Sequence, residues 1–430
     1  MLDMNWIREN TELVRKTAEW KRIELPLDDL LKWDDKRRNL RQTTESQRSQ
    51  RNELTKEVER LMRQGNRTAG ETVKEQVRDI NNGLTVLEGE LAEADRHCRE
   101  LLLLVPNPVS QDTPVGRDDR DNVELRRVGE LPEFTYAPRD HVELGELHHI
   151  IDIPRGVKAG GPRSYVLKGA GLYLHLAVQR LALDVLTARG FTVMDVPVMV
   201  RPEALERTGF FPLGIDQTYE LNGENRWLAG TSEVSLVSLY SDEIMEMASP
   251  LRLAGMSACF RREVGSAGRD VRGLYRVHQF SKIEQVVICE NNPAASENML
   301  QEITANAEHI LKLLELPYRV MAVCTGDMSQ KTHKQVDIET WMPSRGAYGE
   351  THSASNLLDF QARRSNIRYR GPDGRLQYCH TLNNTAVATP RILIPLLENH
   401  QQEDGSIYIP HALRKYMDGM AKLELPLRQL

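Results

Sequence analysis

The segment Cys259-Phe260-Arg261-Arg262-Glu263-Val264-Gly265-Ser266-Ala267-Gly268-Arg269-Asp270-Val271-Arg272-Gly273 runs on into Arg276-Val277-His278-Gln279-Phe280. Five arginines fall between 261 and 276, interleaved with glycines and two acids. Such a density is costly unless something anionic is bound. Guanidinium forks meet phosphate oxygens in pairs, and glycines let the backbone approach. A solvated charged hairpin is the plain alternative. The flanks, 252–264 and 275–290, read as two strands joined by this loop. Short strands around a few helices, without regular βαβ alternation, predict an α+β domain on an antiparallel sheet.

Upstream, 171–189 reads as a helix and 191–199 alternates like a strand. Residues 106–140 are rich in Pro, Gly and Asp and read as a linker. Before them Val73, Val77, Ile80, Leu84, Leu87, Leu91, Ala94, Cys98 and Leu101 alternate spacings of four and three, the seam of a coiled coil. Pro106 ends that helix. An earlier helix carries Trp33, Leu40, Leu54, Val58 and Leu61, with polar Thr44, Gln47 and Arg51 between them. Residues 64–70 read as the turn between the two. Antiparallel helices of about thirty residues make an arm about 45 Å long at about 1.5 Å per residue. The chain thus divides into 1–105 with a helical lead-in and arm, a linker over 106–140, and a mixed domain over 141–430. A helix start near Thr389 and Pro390 suits their capping preferences. Pro395 requires that helix to begin nearer Arg391 or to kink.

Composition narrows the function. Of 430 residues, 40% are hydrophobic and 27% charged, which predicts a largely globular chain. No apolar run reaches the roughly 18 residues of a membrane span. The N-terminus MLDMNWIRENTELVR lacks a signal h-region, so the cytosol is the expected location. The five cysteines form no CxxC pair, so free thiols are expected rather than disulfides or zinc ligands. The net charge of −6 argues against nucleic acid as a partner until its distribution is examined. Between Lys36 and Arg67, ten Lys/Arg face four Asp/Glu. That basic stripe suits a local phosphate contact, although an arm of this kind also fits a spacer or dimerisation element.

FRxE, a loop and RxxxF form the pattern of motif 2 of class II aminoacyl-tRNA synthetases. The chain is similar to bacterial-type seryl-tRNA synthetases through nearly its whole length. The resemblance rests on MLDMNWIREN at the start, Pro106-Asn107-Pro108, His141-Val142-Glu143-Leu144-Gly145 and Tyr165-Val166-Leu167-Lys168-Gly169. It continues through Thr231-Ser232-Glu233, Cys324-Thr325-Gly326-Asp327-Met328, Asp359-Phe360-Gln361-Ala362-Arg363-Arg364 and Thr381-Leu382-Asn383.

The resemblance implies serine activation by ATP and transfer to tRNA(Ser), with tRNA(Sec) open as a second acceptor. It implies Arg261 at the serine carboxylate and α-phosphate, Glu263 at the adenine end, Phe280 stacked on the base, and Arg391 at the γ-phosphate. Arg262, Val277, Thr351 and His352 join the implied ATP-binding set. Glu350 and Ser353 fall where the family holds ATP and Mg²⁺. Thr231, Glu233, Glu284 and Thr385, with Arg261, match the serine pocket; which takes the ammonium and which the hydroxyl is left open. Arg37, Arg41, Arg48, Arg51 and Arg60 become candidate tRNA contacts. A homodimer through the motif 1 proline, Pro197, is also implied. His278 reads as a structural histidine rather than a general base.

Two segments depart from the usual bacterial pattern. Asn383-Asn384-Thr385-Ala386 replaces Asn-Gly-Ser-Gly, keeping a hydroxyl at 385. Gly349-Glu350-Thr351-His352-Ser353-Ala354-Ser355-Asn356 replaces Arg-Glu-Val-Ser-Ser-Cys-Ser-Asn, so one phosphate-side or packing contact has no counterpart at Gly349. Two further readings follow: a paralogue making aminoacyl adenylates for a carrier protein or biosynthetic pathway, and a second synthetase resistant to a seryl-nucleotide inhibitor. A non-catalytic regulator would be expected to lose Arg261, Glu263 or Arg391, and all three are present.

Overall fold

The computed structural model describes residues 1–265 and 272–426. Residues 266–271 of the quoted loop, Arg269 and Asp270 among them, lie outside the described residues. The chain forms two compact units, Met1–Pro106 and Asn107–Leu430.

The first unit holds α1 (Met4–Glu9), α2 (Thr11–Trp20), α3 (Leu27–Arg63) and α4 (Arg67–Leu102). α3 and α4 pair as the expected antiparallel hairpin. The turn is shorter than 64–70, because the Asn66 side chain accepts from the Ala69 amide and starts α4 at once. Gly70 therefore lies inside the helix, where an added Cβ would meet the Met62 sulfur at 3.1 Å. The seam positions are the less exposed ones along both helices, including polar Thr44 and Gln47. Leu84, Ala94 and Cys98 are buried. At the root, Trp33 stacks on His97 with ring centroids 4.3 Å apart. Buried Asp34 pairs with Arg8, Arg37 and Arg38.

The second unit is built on one sheet of eight strands. They are β1 (Val123–Val128), β2 (Thr192–Asp195), β3 (Leu251–Phe260), β4 (Gln279–Cys289), β5 (Tyr318–Ala322), β6 (Lys334–Met342), β7 (Ala347–Asn356) and β8 (His380–Thr389). Their spatial order is β1-β5-β6-β7-β8-β4-β3-β2. All neighbours run antiparallel except β2 with β3. One face, with Ile283 and Val287, packs on α5 (Ala170–Ala188) and α7 (Pro293–Leu313) through Leu174, Val178, Ile303 and Ile310. The opposite face carries a cleft. Beyond it, Val286 and Ile288 pack on Leu236 and Val237 of α6 (Glu233–Ser238).

Three sequence expectations change. Residues 106–140 are not merely a linker: β1 lies within them and forms the sheet edge against β5. Residues 191–199 do not make one strand. Pro197, which has no amide to donate, ends the pairing after Asp195, and Met199–Val200 joins a separate three-stranded sheet. The two motif strands are shorter than expected. β3 stops at Phe260, before Glu263 and Gly265 adopt φ of 53° and 81°, and β4 begins only at Gln279. The helix α9 (Leu393–His400) resolves the conflict over Pro395. Following α8 (Phe360–Ser365), it starts late enough that Pro395 falls in its first turn, where a missing amide is tolerated. Among the described residues, no helix is long and apolar enough to cross a membrane. Cys98, Cys259, Cys289, Cys324 and Cys379 are all buried.

Candidate active site

The cleft over β4, β7 and β8 encloses about 1140 Å³, its open mouth included. Two strand irregularities shape its floor. In the β4–β8 pair, Ile283 faces Val387 while Glu284 faces Thr385, leaving Ala386 as the extra residue. In the β6–β7 pair, Ile338 faces His352 and Glu339 faces Glu350, leaving Thr351 extra. A bulge shifts the alternation by one. It lets both Glu350 and Thr351 line the cleft and turns His352 away from it.

At one end stand Thr231, Glu233, Glu284 and Thr385, drawn from α6 and its approach, β4 and β8. Glu284 is buried, and its Oε2 forms an ion pair with the Lys282 ammonium. Burial pushes the Glu284 carboxyl up, and nearby Glu233 adds to this, while Lys282 and Arg261 oppose it. Glu233 is held by three donors on a single oxygen, Oε1. These are Lys331 Nζ at 2.6 Å, Gln361 Nε2 at 2.7 Å and Asn383 Nδ2 at 3.0 Å. The Thr231 hydroxyl accepts from the Glu233 amide at 3.2 Å.

The other end is rich in arginine. The Arg261 guanidinium lies 5.2 Å from the Phe280 ring centroid, and its Nε donates to Gly230 O at 3.4 Å. The carboxylate of Glu263 accepts from Arg276 at 3.3 Å. Arg391 lies 4.5 Å from the Tyr275 ring centroid and donates to Tyr275 O at 3.1 Å and Glu350 O at 3.2 Å. Val277 completes this wall. The return of the arginine loop is anchored by His141. Its Nε2 accepts from the Leu274 amide at 3.2 Å and its Nδ1 donates to buried Glu398 at 2.9 Å. Glycine is required at 273, where a Cβ would sit 1.9 Å from that ring nitrogen.

Of the expected ATP-binding residues, the side chains of Arg262 and His352 do not line the cleft. Arg262 is exposed, and its amide donates to Gln217 O. His352 is buried beside the Thr351 hydroxyl at 2.8 Å, and burial pushes it down to about 3. His278 lies outside the cleft too, with Nδ1 donating to Arg261 O at 3.0 Å, as suits a structural histidine. At Gly349 the arginine of the usual pattern would require the Met342 side chain and the Tyr275 ring to shift. A Cβ there would meet Met342 at 2.8 Å and the Tyr275 ring at 3.1 Å. Arg345 instead lies 4.2 Å from the Tyr275 ring centroid.

Glu350 and Ser353 both line the cleft, and the Gln335 amide donates to the Ser353 hydroxyl at 3.1 Å. Buried Asp337 stands opposite Ser353 in register. Its carboxyl is raised by burial and by Glu350 and Asp327. Hard oxygen donors carrying mutually repelling charge suit Mg²⁺. Among the described residues, no three acidic, His or Cys side chains converge closely enough to hold an ion alone.

The model of the seryl-tRNA synthetase N-terminal domain matches residues 1–109, and that of the tRNA synthetase class II core domain (G, H, P, S and T) matches 217–400. The serine--tRNA ligase of Deinococcus radiodurans is 46% identical over 429 residues, covering 100% of both chains. The chain belongs to the seryl-tRNA synthetase family. A seryl-tRNA synthetase of Pyrococcus horikoshii solved with ATP superposes with a TM-score of 0.91 at 36% identity over 100% of both chains. A cytoplasmic serine-tRNA ligase of Naegleria fowleri solved with AMP gives 0.86 at 28% identity over 99% of both.

Within this synthetase fold, the cleft also holds groups to which the sequence reading gave no role, among them Lys282, Lys331, Asn383 and Tyr275. Lys282 was legible in principle, two residues before Glu284 on the same strand face. Lys331 was not, because its loop has no periodicity. On the arm, Arg41, Arg48 and Arg60 project from α3, while Arg37 and Arg51 are half-buried at the seam. The basic stripe is also partly neutralised across the hairpin: Arg48 pairs with Glu88 at 2.7 Å and Arg41 with Asp95 at 3.5 Å.

Proposed function

We propose that this chain is a serine--tRNA ligase that forms seryl-adenylate from serine and ATP and transfers the seryl group to tRNA(Ser). The observation that carries this reading is the amino-acid end of the cleft. Glu284 and Thr385 face each other across the β4–β8 pair, with Glu233 on the same cleft wall. Two carboxylates and two hydroxyls form a site for a small ammonium-bearing molecule with a hydroxyl.

The serine carboxylate oxygen attacks the α-phosphorus in line, the bond to the β-phosphate oxygen breaks, and pyrophosphate leaves. No side-chain nucleophile is needed; positioning and charge stabilisation supply the rate. Arg261 braces the carboxylate and α-phosphate. Arg391, fixed by the carbonyls of Tyr275 and Glu350, meets the γ-phosphate. Phe280 stacks on the base, with Glu263 at its rim. Glu350 and Ser353, with Asp337 behind them, would hold Mg²⁺, which supplies charge neutralisation of the departing pyrophosphate. In the second step the terminal 3′-hydroxyl of the tRNA attacks the adenylate carbonyl, and AMP leaves.

The arm takes the tRNA through phosphate contacts, with Arg41, Arg48 and Arg60 its outward residues. Its helices, of 37 and 36 residues, favour tRNA over a carrier protein as acceptor. The protein works as a cytoplasmic homodimer. Leu172, Tyr173 and Leu176 on α5 and Met199 after Pro197 are exposed apolar side chains, and a two-fold interface would bury them. ATP–pyrophosphate exchange across the amino acids, followed by charging of purified tRNA, tests the reading. Preference for another amino acid, or exchange without tRNA charging, would replace it with a redirected paralogue.

A further inference from the structure

The cleft contains a buried cation that no motif of the resemblance covers. Lys331 sits in the loop between β5 and β6, and its ammonium is buried between Glu233 and the Phe210 ring. It lies 2.6 Å from Glu233 Oε1 and 3.8 Å from the ring centroid. Its backbone is tied down as well, since the Asn107 side chain donates to Lys331 O at 2.9 Å.

The donors around Glu233 are distributed unevenly. Lys331, Gln361 and Asn383 all reach Oε1, and among the described residues no hydrogen bond reaches Oε2. Gln361 has no freedom to turn. It also donates to Thr208 O at 2.8 Å and accepts from the Thr381 hydroxyl at 2.8 Å. The carboxylate is therefore clamped by one oxygen, and the other is left to accept from whatever enters the cleft. Of the three clamping donors only Lys331 is charged, and a charge-assisted hydrogen bond is roughly twice as strong as a neutral one. A buried ion pair is weak evidence of stabilisation, because desolvation offsets its attraction. Its value here lies in orientation.

We infer that Lys331 is a positioning residue for amino-acid recognition: it fixes Glu233 by Oε1 so that Oε2 is presented to the ammonium or hydroxyl of the substrate. The inference rests on the serine-activating reading of the cleft. Lys331 touches no substrate atom in this role and acts through Glu233. The other charged groups of this end are Glu284, Lys282 and Arg261. Glu284 and Lys282 form the neighbouring ion pair and interact electrostatically with Lys331, and among the described residues only Glu233 is hydrogen-bonded to its ammonium.

The experiment is a double-mutant cycle read by serine-dependent pyrophosphate exchange on the full-length protein. Lys331→Met should raise KM for serine at least about tenfold while KM for ATP stays within about twofold, the pattern of a lost ground-state contact to one substrate. The double variant Lys331→Met with Glu233→Gln should be no worse than Glu233→Gln alone, because the first change acts only through the group that the second has removed. The double variant also leaves no unpaired buried charge, so it stays informative if Lys331→Met alone folds poorly. Additive losses in the cycle, or an unchanged serine KM in folded Lys331→Met, would overturn the inference. Absence of serine-dependent exchange in the unmodified protein would instead overturn the reading on which it rests.

Discussion

Glu284 and Thr385, separated by a hundred residues of sequence, are direct cross-strand partners in the β4–β8 ladder. They come into register only because Ala386 is bulged out one position further along. Both side chains face the cleft, Glu284 almost wholly buried and Thr385 nearly so.

This pairing predicts distinct outcomes for two substitutions. Glu284→Ala should leave ATP binding nearly intact and cut serine-dependent exchange at least about 10²-fold, about 2.7 kcal/mol of transition-state stabilisation. Thr385→Val keeps the shape and deletes the hydroxyl. It should lower the rate less and reduce the discrimination between serine and alanine, since a site that hydrogen-bonds a hydroxyl rejects analogues lacking one. Exchange kinetics with both amino acids measure the difference. Undiminished selectivity in Thr385→Val would place the hydroxyl contact on another group.

The arm predicts a separation of the two half-reactions. Removing residues 36–98 takes away most of α3 and α4 and the basic stripe with them. Charging of tRNA should be lost, and serine-dependent exchange should persist. In the intact protein, charging at subsaturating tRNA should fall steeply with added salt as phosphate contacts release counterions. The intramolecular pairs Arg48–Glu88 and Arg41–Asp95 compete for those arginines. Glu88→Gln should therefore strengthen tRNA binding modestly, by no more than about tenfold at low salt.

Association is expected through the exposed face of α5. Sedimentation of the unmodified protein should give twice the chain mass at micromolar concentration. Tyr173→Asp combined with Leu176→Asp places charge on two exposed apolar positions and should yield monomers. A dimer that survives both changes would locate the interface elsewhere.

Acid stability carries a histidine signature. His380 is buried beside Ser296, and burial pushes it down to about 4. An unfolded histidine titrates near about 6.5, so as pH falls below that value the unfolded chain takes up a proton that the folded chain refuses. Stability should therefore decline from about pH 6.5 to about pH 4, by at most about 1.4 kcal/mol per pH unit from this group. Below the folded value the contribution of this group should level off. Denaturant titrations of His380→Gln across that range should show a shallower decline, and an unchanged slope would assign the acid sensitivity to other groups.

The arm was legible in sequence because its signal is periodic and local. The seam from Val73 to Leu101 marked the helix, and Pro106 marked its end. The arginine cluster around Arg261 was legible for a different reason: charge at that density needs a partner wherever the chain folds. Other features were set by tertiary structure alone. Residues 106–140 looked like a linker because an edge strand such as Val123–Val128 takes its order from β5 and not from its own composition. Which of two neighbouring residues faces the cleft depended on single bulges at Thr351 and Ala386, and a one-residue shift reverses every side chain beyond it. Lys331 had no local pattern to announce it. Its significance comes from burial against Glu233 and Phe210, contacts about a hundred residues away along the chain that only the folded sheet and its loops bring together.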